Sequence, residues 1–279
     1  MHEKLPIQAV PPLIYGTAWK KDKTAELVEK AILCGFRGVD TACQPKHYYE
    51  AGVGQALLRL KEHGIFRDNL FLQTKFTPLS GQDSANIPFD PAASLDDQVR
   101  QSFACSQKNL GVETVDSLVL HSPLRSHEQT MQVWRAMEDL YKAGVVRMLG
   151  ISNCYDLDVF KSIYDEAKVK PSVLQNRFYS ETGYDQKLRE WSGERGVCYQ
   201  SFWTLTANPQ ILSHPLVRSL SVIKGVTEAQ LFFRFLTHLK ITPLIGSCSE
   251  KHTKEDLAIF DFTLSNAEIA SIETLILSR

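Results

Sequence analysis

The sequence predicts an α/β fold, a (β/α)8 TIM barrel in which residues 1–279 form a single domain. Three observations predict it. Short apolar runs alternate with segments of helical period from one end of the chain to the other. There are eight such runs, and eight strand and helix units over about 250 residues make up a closed parallel barrel. No GxGxxG fingerprint follows the first run, which removes the main sign of a doubly wound open sheet, the runner-up fold.

The expected strands are Leu13 to Gly16, Gly38 to Asp40, Leu70 to Lys75, Ser117 to His121, Met148 to Ser152, Val173 to Gln175, Val197 to Ser201 and Thr242 to Gly246. Each is a short apolar run bounded by polar or turn-forming residues. Between them, amphipathic periodicity predicts helices over residues 24–35, 51–63, 94–110, 128–143, 156–168, 186–195 and 227–239, several opened by Thr, Ser or Asp and closed near Gly. Two more helices follow the last strand, ending with Asn266 to Ile276. Two connections are long: Phe76 to Ala93 after the third strand and Phe202 to Val226 after the seventh. In a barrel both lie on the face where active sites are built, so they read as lids over a ligand.

Composition narrows the function. Lys and Arg total 31 against 32 Asp and Glu, a formal charge of −1, so the cationic field that nucleic acids or anionic membranes attract is missing. The six cysteines stand singly with no CxxC pair or metal-ligand spacing, so they read as small buried hydrophobes in a reducing compartment, with no metal site. The chain start shows no signal-peptide pattern, and no run approaches 18 apolar residues. The expectation is a soluble cytoplasmic protein with a small-molecule ligand, monomeric or weakly self-associating.

Polar residues end the predicted strands: Asp40, Lys75, His121, Ser152 with Asn153, Gln175 and Ser201. Singly, each has an ordinary explanation as a cap, a snorkelling cation or a satisfied core residue. Together they converge on one mouth of the barrel and make a candidate site.

The segment GFRGVDTACQPKHYYEAGVGQAL (35–57) resembles the signature of the aldo-keto reductase family. LQTKF, DSLVLHSP, GISN, LQN and KGVTEAQLFFRFL resemble later blocks of that family in the same order. The resemblance implies a carbonyl reductase that holds NADP(H), or NAD(H), extended across the barrel mouth. It implies a tyrosine that donates a proton to the carbonyl, Lys75 beside the phenol to favour its ionised form, Asp40 to hold Lys75, and His121 to orient the carbonyl oxygen. The usual tyrosine position is Pro45, so the donor shifts to Tyr48, with Tyr49 next and His47 third. Ser152, Asn153 and Gln175 match the nicotinamide carboxamide contacts. The stacking position falls on Ser201, Phe202 or Trp203.

Thr17 and a late segment complete the implied cofactor contacts, the latter through Gly246, Ser247, Ser249, His252, Glu255 and Asp256, with Lys251 and Lys254 nearby. Gly246 and His252 stand where NADPH-specific relatives usually carry Lys and Arg. Ser122 replaces a frequent Trp after the His, and Arg279 follows the last helix closely, so the pocket is expected to be wide and its substrates several small aldehydes. A nicotinamide-binding partner protein with little turnover is the alternative function, and an unrelated barrel hydrolase or isomerase a third.

Overall fold

A computed structural model describes residues 10–277, so the amino-terminal residues 1–9 and the chain end at Arg279 lie outside the described residues. Eight parallel strands close into a barrel in sequential order: β1 (Ile14–Gly16), β2 (Gly38–Asp40), β3 (Phe71–Phe76), β4 (Val115–Leu120), β5 (Val146–Ser152), β6 (Val173–Arg177), β7 (Cys198–Phe202) and β8 (Ile241–Ile245). Closure is made by Ile14 and Tyr15 pairing with Leu244 and Ile245. Helices α1 (Thr24–Cys34), α2 (Glu50–Leu60), α3 (Leu95–Leu110), α4 (His127–Lys142), α5 (Leu157–Glu166) and α6 (Gln186–Gly193) follow the first six strands in turn. They are succeeded by α7 (Pro209–Leu212), α8 (Pro215–Lys224), α9 (Glu228–His238), α10 (Glu250–Leu257) and α11 (Asn266–Leu277).

The expected strands are all present, with ends displaced by at most two residues and β2 matching at both ends. Two displacements matter: β3 runs one residue past Lys75, and His121 lies one residue beyond β4, its amide donating to the Phe76 carbonyl at 2.9 Å. The expected long loop after β7 holds two helices instead. Its prolines sit at the first helical position of α7 and α8, His214 Nδ1 caps the Leu216 amide, and Gly225 closes α8 in the left-handed region. Those stop and start signals are local and present in the sequence, but the helices are too short to carry a clear period. The Phe76 to Ala93 loop is no loose flap: Phe89 is buried against Phe76, and Gln82 Nε2 donates to the Cys43 and Thr77 carbonyls at 3.0 Å each.

Alternation along β3 explains the barrel interior. Phe71, Gln73 and Lys75 share one face at successive levels, as side chains two residues apart must. At the floor Phe71 packs with Ile14 and Met148 in a small apolar plug, separate from the main core. Above it Gln73 meets Gln175 and Gln200 in a hydrogen-bonded layer. Lys75 forms the top. The other face of the strands, including Leu72, Leu118, Ile151 and Leu174, packs on buried helical residues such as Val28, Val99, Trp134 and Phe232 in the main core. No helix among the described residues is long and apolar enough to cross a membrane.

Helices α2 and α3 approach so closely at Gly54 that a Cβ there would collide with the Asn109 carbonyl oxygen, a backbone atom that cannot step aside. Gly54→Ala should therefore destabilise the fold by roughly 1–3 kcal/mol through overpacking. Urea unfolding would show it as a lower midpoint at unchanged m-value, and an unchanged midpoint would mean that the two helices separate freely.

Candidate active site

The C-terminal ends of the strands open onto a cavity of about 930 Å³. Asp40, at the end of β2, is buried with three donors on its carboxylate: Lys75 Nζ at 2.5 Å on Oδ2, and Gln73 Nε2 at 2.8 Å and Gln175 Nε2 at 3.1 Å on Oδ1. Lys75 is also fully buried and donates to the Thr41 carbonyl at 2.9 Å. Burial pulls the Lys75 ammonium down from its ordinary range, and the Asp40 carboxylate opposes that fall. Such a pair persists because each charge is hydrogen-bonded; removing one partner would strand the other.

Tyr48 lies next to this pair. Its ring centroid is 5.0 Å from Lys75 Nζ and 6.0 Å from the His121 ring, edge to face. Tyr49, the other candidate, is 40% exposed, sits before the first residue of α2 and faces a second, smaller cleft. His47 stacks on Trp19 with centroids 4.0 Å apart and contacts Gln44 through Nδ1. The backbone of the inserted segment is fixed by hydrogen bonds from the His47 and Tyr48 amides to the Gln44 carbonyl. Burial pushes the Tyr48 phenol well up, with the Asp40 carboxylate adding to the rise. Burial and the Asp40 carboxylate thus outweigh the lowering expected of the Lys75 charge.

His121 Nδ1 lies 2.6 Å from the Thr77 hydroxyl. Burial and the nearby Lys75 charge pull the imidazole down to about 3, so it is neutral across the physiological range. When Thr77 donates to Nδ1, the remaining proton sits on Nε2, leaving a neutral donor.

The cavity wall includes Asp40, Tyr48 and His121, together with Ser152, Asn153, Gln175, Phe202, Gly246, Ser247, His252, Glu255 and Asp256. Several donors along it are already taken. Both Gln175 Nε2 protons go to Asp40 and Gln200, Asn153 Nδ2 donates to the His121 carbonyl and to Ser152 Oγ, and the Ser152 hydroxyl donates to the Gln175 carbonyl. What Gln175 and Asn153 offer a ligand is chiefly acceptor oxygen. Four expected site residues are not in the wall. Thr17 turns its hydroxyl to the Asp40 carbonyl, Lys75 is sealed behind Tyr48, Ser201 accepts from the Thr204 hydroxyl, and Ser249 caps α10. Of the stacking candidates, Phe202 and Trp203 line the cavity and Ser201 does not.

Sequence reasoning missed Thr77, Gln73, Gln200 and Arg177. Thr77 belonged to an apparent loop, and the glutamines read as strand interior. The clue was periodic: Gln73 stands two residues before Lys75 on a strand whose one face had to be polar. Backbone conformation marks the mouth as well. Trp19, Asn153 and Trp203, all in the wall, have φ values of 65°, 52° and 54°, a left-handed conformation that bulky side chains adopt only where the surroundings enforce it. Among the described residues no group of three or more His, Cys, Asp or Glu side chains is placed to hold a metal.

Comparison with known proteins now bears on this arrangement. The model of the Aldo/keto reductase family matches residues 12–190. The chain belongs to the aldo/keto reductase family. Among its aldo/keto reductase relatives, a 2,5-diketo-D-gluconic acid reductase B of a Corynebacterium species is 28% identical over 91% of this chain and 84% of that one. A glyoxal reductase of Bacillus subtilis is 25% identical over 91% and 84%. An aldo-keto reductase solved in complex with NADPH shares the fold, with a TM-score of 0.78 and 22% identity over 97% of this chain and 86% of that one.

Two titration outcomes follow. Across pH 5–9, nitrogen NMR of His121 should show one neutral tautomer; a transition near 6.5 would mean that its burial is not maintained. Asp256, buried with Glu255 beside it, has its carboxyl pushed up to about 7. Its neutral form is favoured in the fold, so stability is complete below the unfolded value near 4 and declines as pH rises through about 7. Asp256→Asn should thus match the wild type at pH 4 and exceed it at pH 8, by on the order of 1–2 kcal/mol. Equal stability at both pH values, measured without added dinucleotide, would overturn the shifted ionisation.

Proposed function

We propose that this chain is a carbonyl reductase that uses NADPH and reduces small aldehydes, with Tyr48 as proton donor. The observation that carries the reading is the meeting of the Tyr48 ring with Lys75 Nζ and the His121 ring at one end of the cavity. The residues present suit an extended dinucleotide. Acceptor oxygens of Gln175 and Asn153 lie at the strand ends for a carboxamide, Phe202 and Trp203 offer aromatic faces, and His252, Glu255 and Asp256 line the cavity beside α10. When bound, the reduced nicotinamide supplies the hydride.

In this reading His121 Nε2 donates to the carbonyl oxygen and fixes its direction without adding charge. Tyr48 gives its proton to the same oxygen as the carbon is reduced. Burial makes the phenolate costly. The Lys75 ammonium, 5.0 Å from the ring centroid, offsets part of that cost by Coulomb attraction, and Asp40 keeps the ammonium in place. Thr77, Gly81 and Ser122 leave part of the wall small and polar, which supports a broad range of small carbonyl compounds.

The test is consumption of NADPH with a panel of aldehydes. Tyr48→Phe should lose nearly all turnover and keep its NADPH affinity, whereas Tyr49→Phe should keep both. Lys75→Met should lose turnover and also about 3–5 kcal/mol of stability, because Asp40 is left buried without its cation. Retained turnover in Tyr48→Phe with loss in Tyr49→Phe would move the donor by one residue. NADPH binding with no turnover of any aldehyde by the wild type would replace the reductase reading with that of a nicotinamide-binding partner.

A further inference from the structure

Arg177 ends β6, two residues after Gln175 on the same strand, and it lines the cavity. The other half-buried arginines are tied to acceptors: Arg67 and Arg147 to the Asp116 carboxylate, Arg189 to the Tyr184 carbonyl, Arg234 to the Phe262 carbonyl. Arg177 is different. Among the described residues its guanidinium makes no hydrogen bond and joins no ion pair, while its backbone amide donates to the Tyr155 hydroxyl. The Nε of that guanidinium is buried and has no acceptor. A buried N–H left without an acceptor costs free energy, and it recovers that cost when an anion arrives.

The group is also held still. Its central carbon lies 4.4 Å from the Trp203 ring centroid and 5.2 Å from that of Tyr179. Packing on ring faces engages the flat side of the guanidinium and leaves the N–H donors on its edge, where a carboxylate or phosphate accepts two at once. Trp203 is itself fixed in the left-handed region, so the platform is preset rather than assembled by the ligand. The acids elsewhere in the wall form no ion pair with Arg177: Asp40 is bound to Lys75, Glu255 lies 3.7 Å from Lys251 on α10, and burial beside Glu255 favours the neutral form of Asp256.

We propose that Arg177 is an oxyanion-binding residue of the cavity, engaging either the phosphates of the dinucleotide or a carboxylate carried by the carbonyl substrate. The proposal deepens the reductase reading and rests on it for the identity of the ligands. Its test compares the wild type with Arg177→Met, which keeps the apolar stem, and Arg177→Lys, which keeps the charge. The readouts are NADPH affinity by fluorescence and kcat/KM for 4-oxobutanoate and butanal, two aldehydes of equal chain length that differ in the carboxylate.

If the phosphates are the ligand, Arg177→Met weakens NADPH binding by about tenfold or more and flattens its salt dependence, while the ratio of the two aldehydes stays constant. If the carboxylate is the ligand, NADPH affinity holds and the ratio of 4-oxobutanoate to butanal falls by about tenfold. In either case Arg177→Lys restores part of the loss. Both quantities within twofold of wild type in a folded Arg177→Met chain would overturn the proposal. Should the wild type reduce neither aldehyde, the reductase reading fails separately, and calorimetric titration with inorganic pyrophosphate and with 4-oxobutanoate decides the oxyanion site: weaker binding of either in Arg177→Met supports it, and no difference overturns it.

Discussion

The carboxylate of Asp40 is the constraint on which the candidate site depends. A buried anion has to be surrounded by donors, and the three it receives come from β3 and β6: Lys75, Gln73 and Gln175. Each of these donors then reaches a further group. Lys75 faces Tyr48, Gln73 and Gln175 close onto Gln200 of β7, and Gln175 keeps an oxygen for the cavity. A charge at the end of one short strand thereby fixes rotamers on three others. The barrel interior gives up apolar packing at this level and retains it at the floor, where Ile14, Phe71 and Met148 form the plug.

A second buried acid secures the loop that carries Tyr48. Glu50 opens α2 and accepts from the Thr74 hydroxyl at 2.5 Å, the Ser106 hydroxyl at 2.9 Å and Asn109 Nδ2 at 3.4 Å. Burial still raises its carboxyl above the ordinary range, so those hydrogen bonds offset only part of the desolvation. The start of α2 is joined in this way to β3 and to α3, two elements that pack side by side around the barrel. With Gly54 letting α2 and α3 touch, the phenol two residues before Glu50 inherits the position of the scaffold.

The order of strands, the barrel closure and the convergence of Asp40 and Lys75 on one mouth were legible in the sequence, because apolar period and polar strand ends are local signals; their pairing was implied by the family resemblance. The preference for Tyr48 over Tyr49 came from the resemblance and had no local signal of its own. Adjacent residues in an irregular turn face different directions, and here Tyr48 lines the cavity beside Lys75 while Tyr49 is left exposed. Thr17 and Ser249 show what a sequence leaves out: hydroxyls near a site have competing local partners, and here a backbone carbonyl and a helix end engage them. Arg177 was invisible for another reason. A lone arginine at a strand end carries no pattern, and its meaning comes from the acceptor it lacks.

The placement of the indoles has an optical consequence. Of the four tryptophans in the chain, Trp134 is sealed in the core, while Trp19 and Trp203 are 57% and 48% exposed on the cavity wall. Indole emission from the two mouth residues overlaps the absorption of a reduced nicotinamide, whereas Trp134 provides a steady background. In the proposed reading the molecule therefore carries a built-in donor pair for resonance energy transfer, and its intrinsic fluorescence would report occupancy of the mouth without any attached dye.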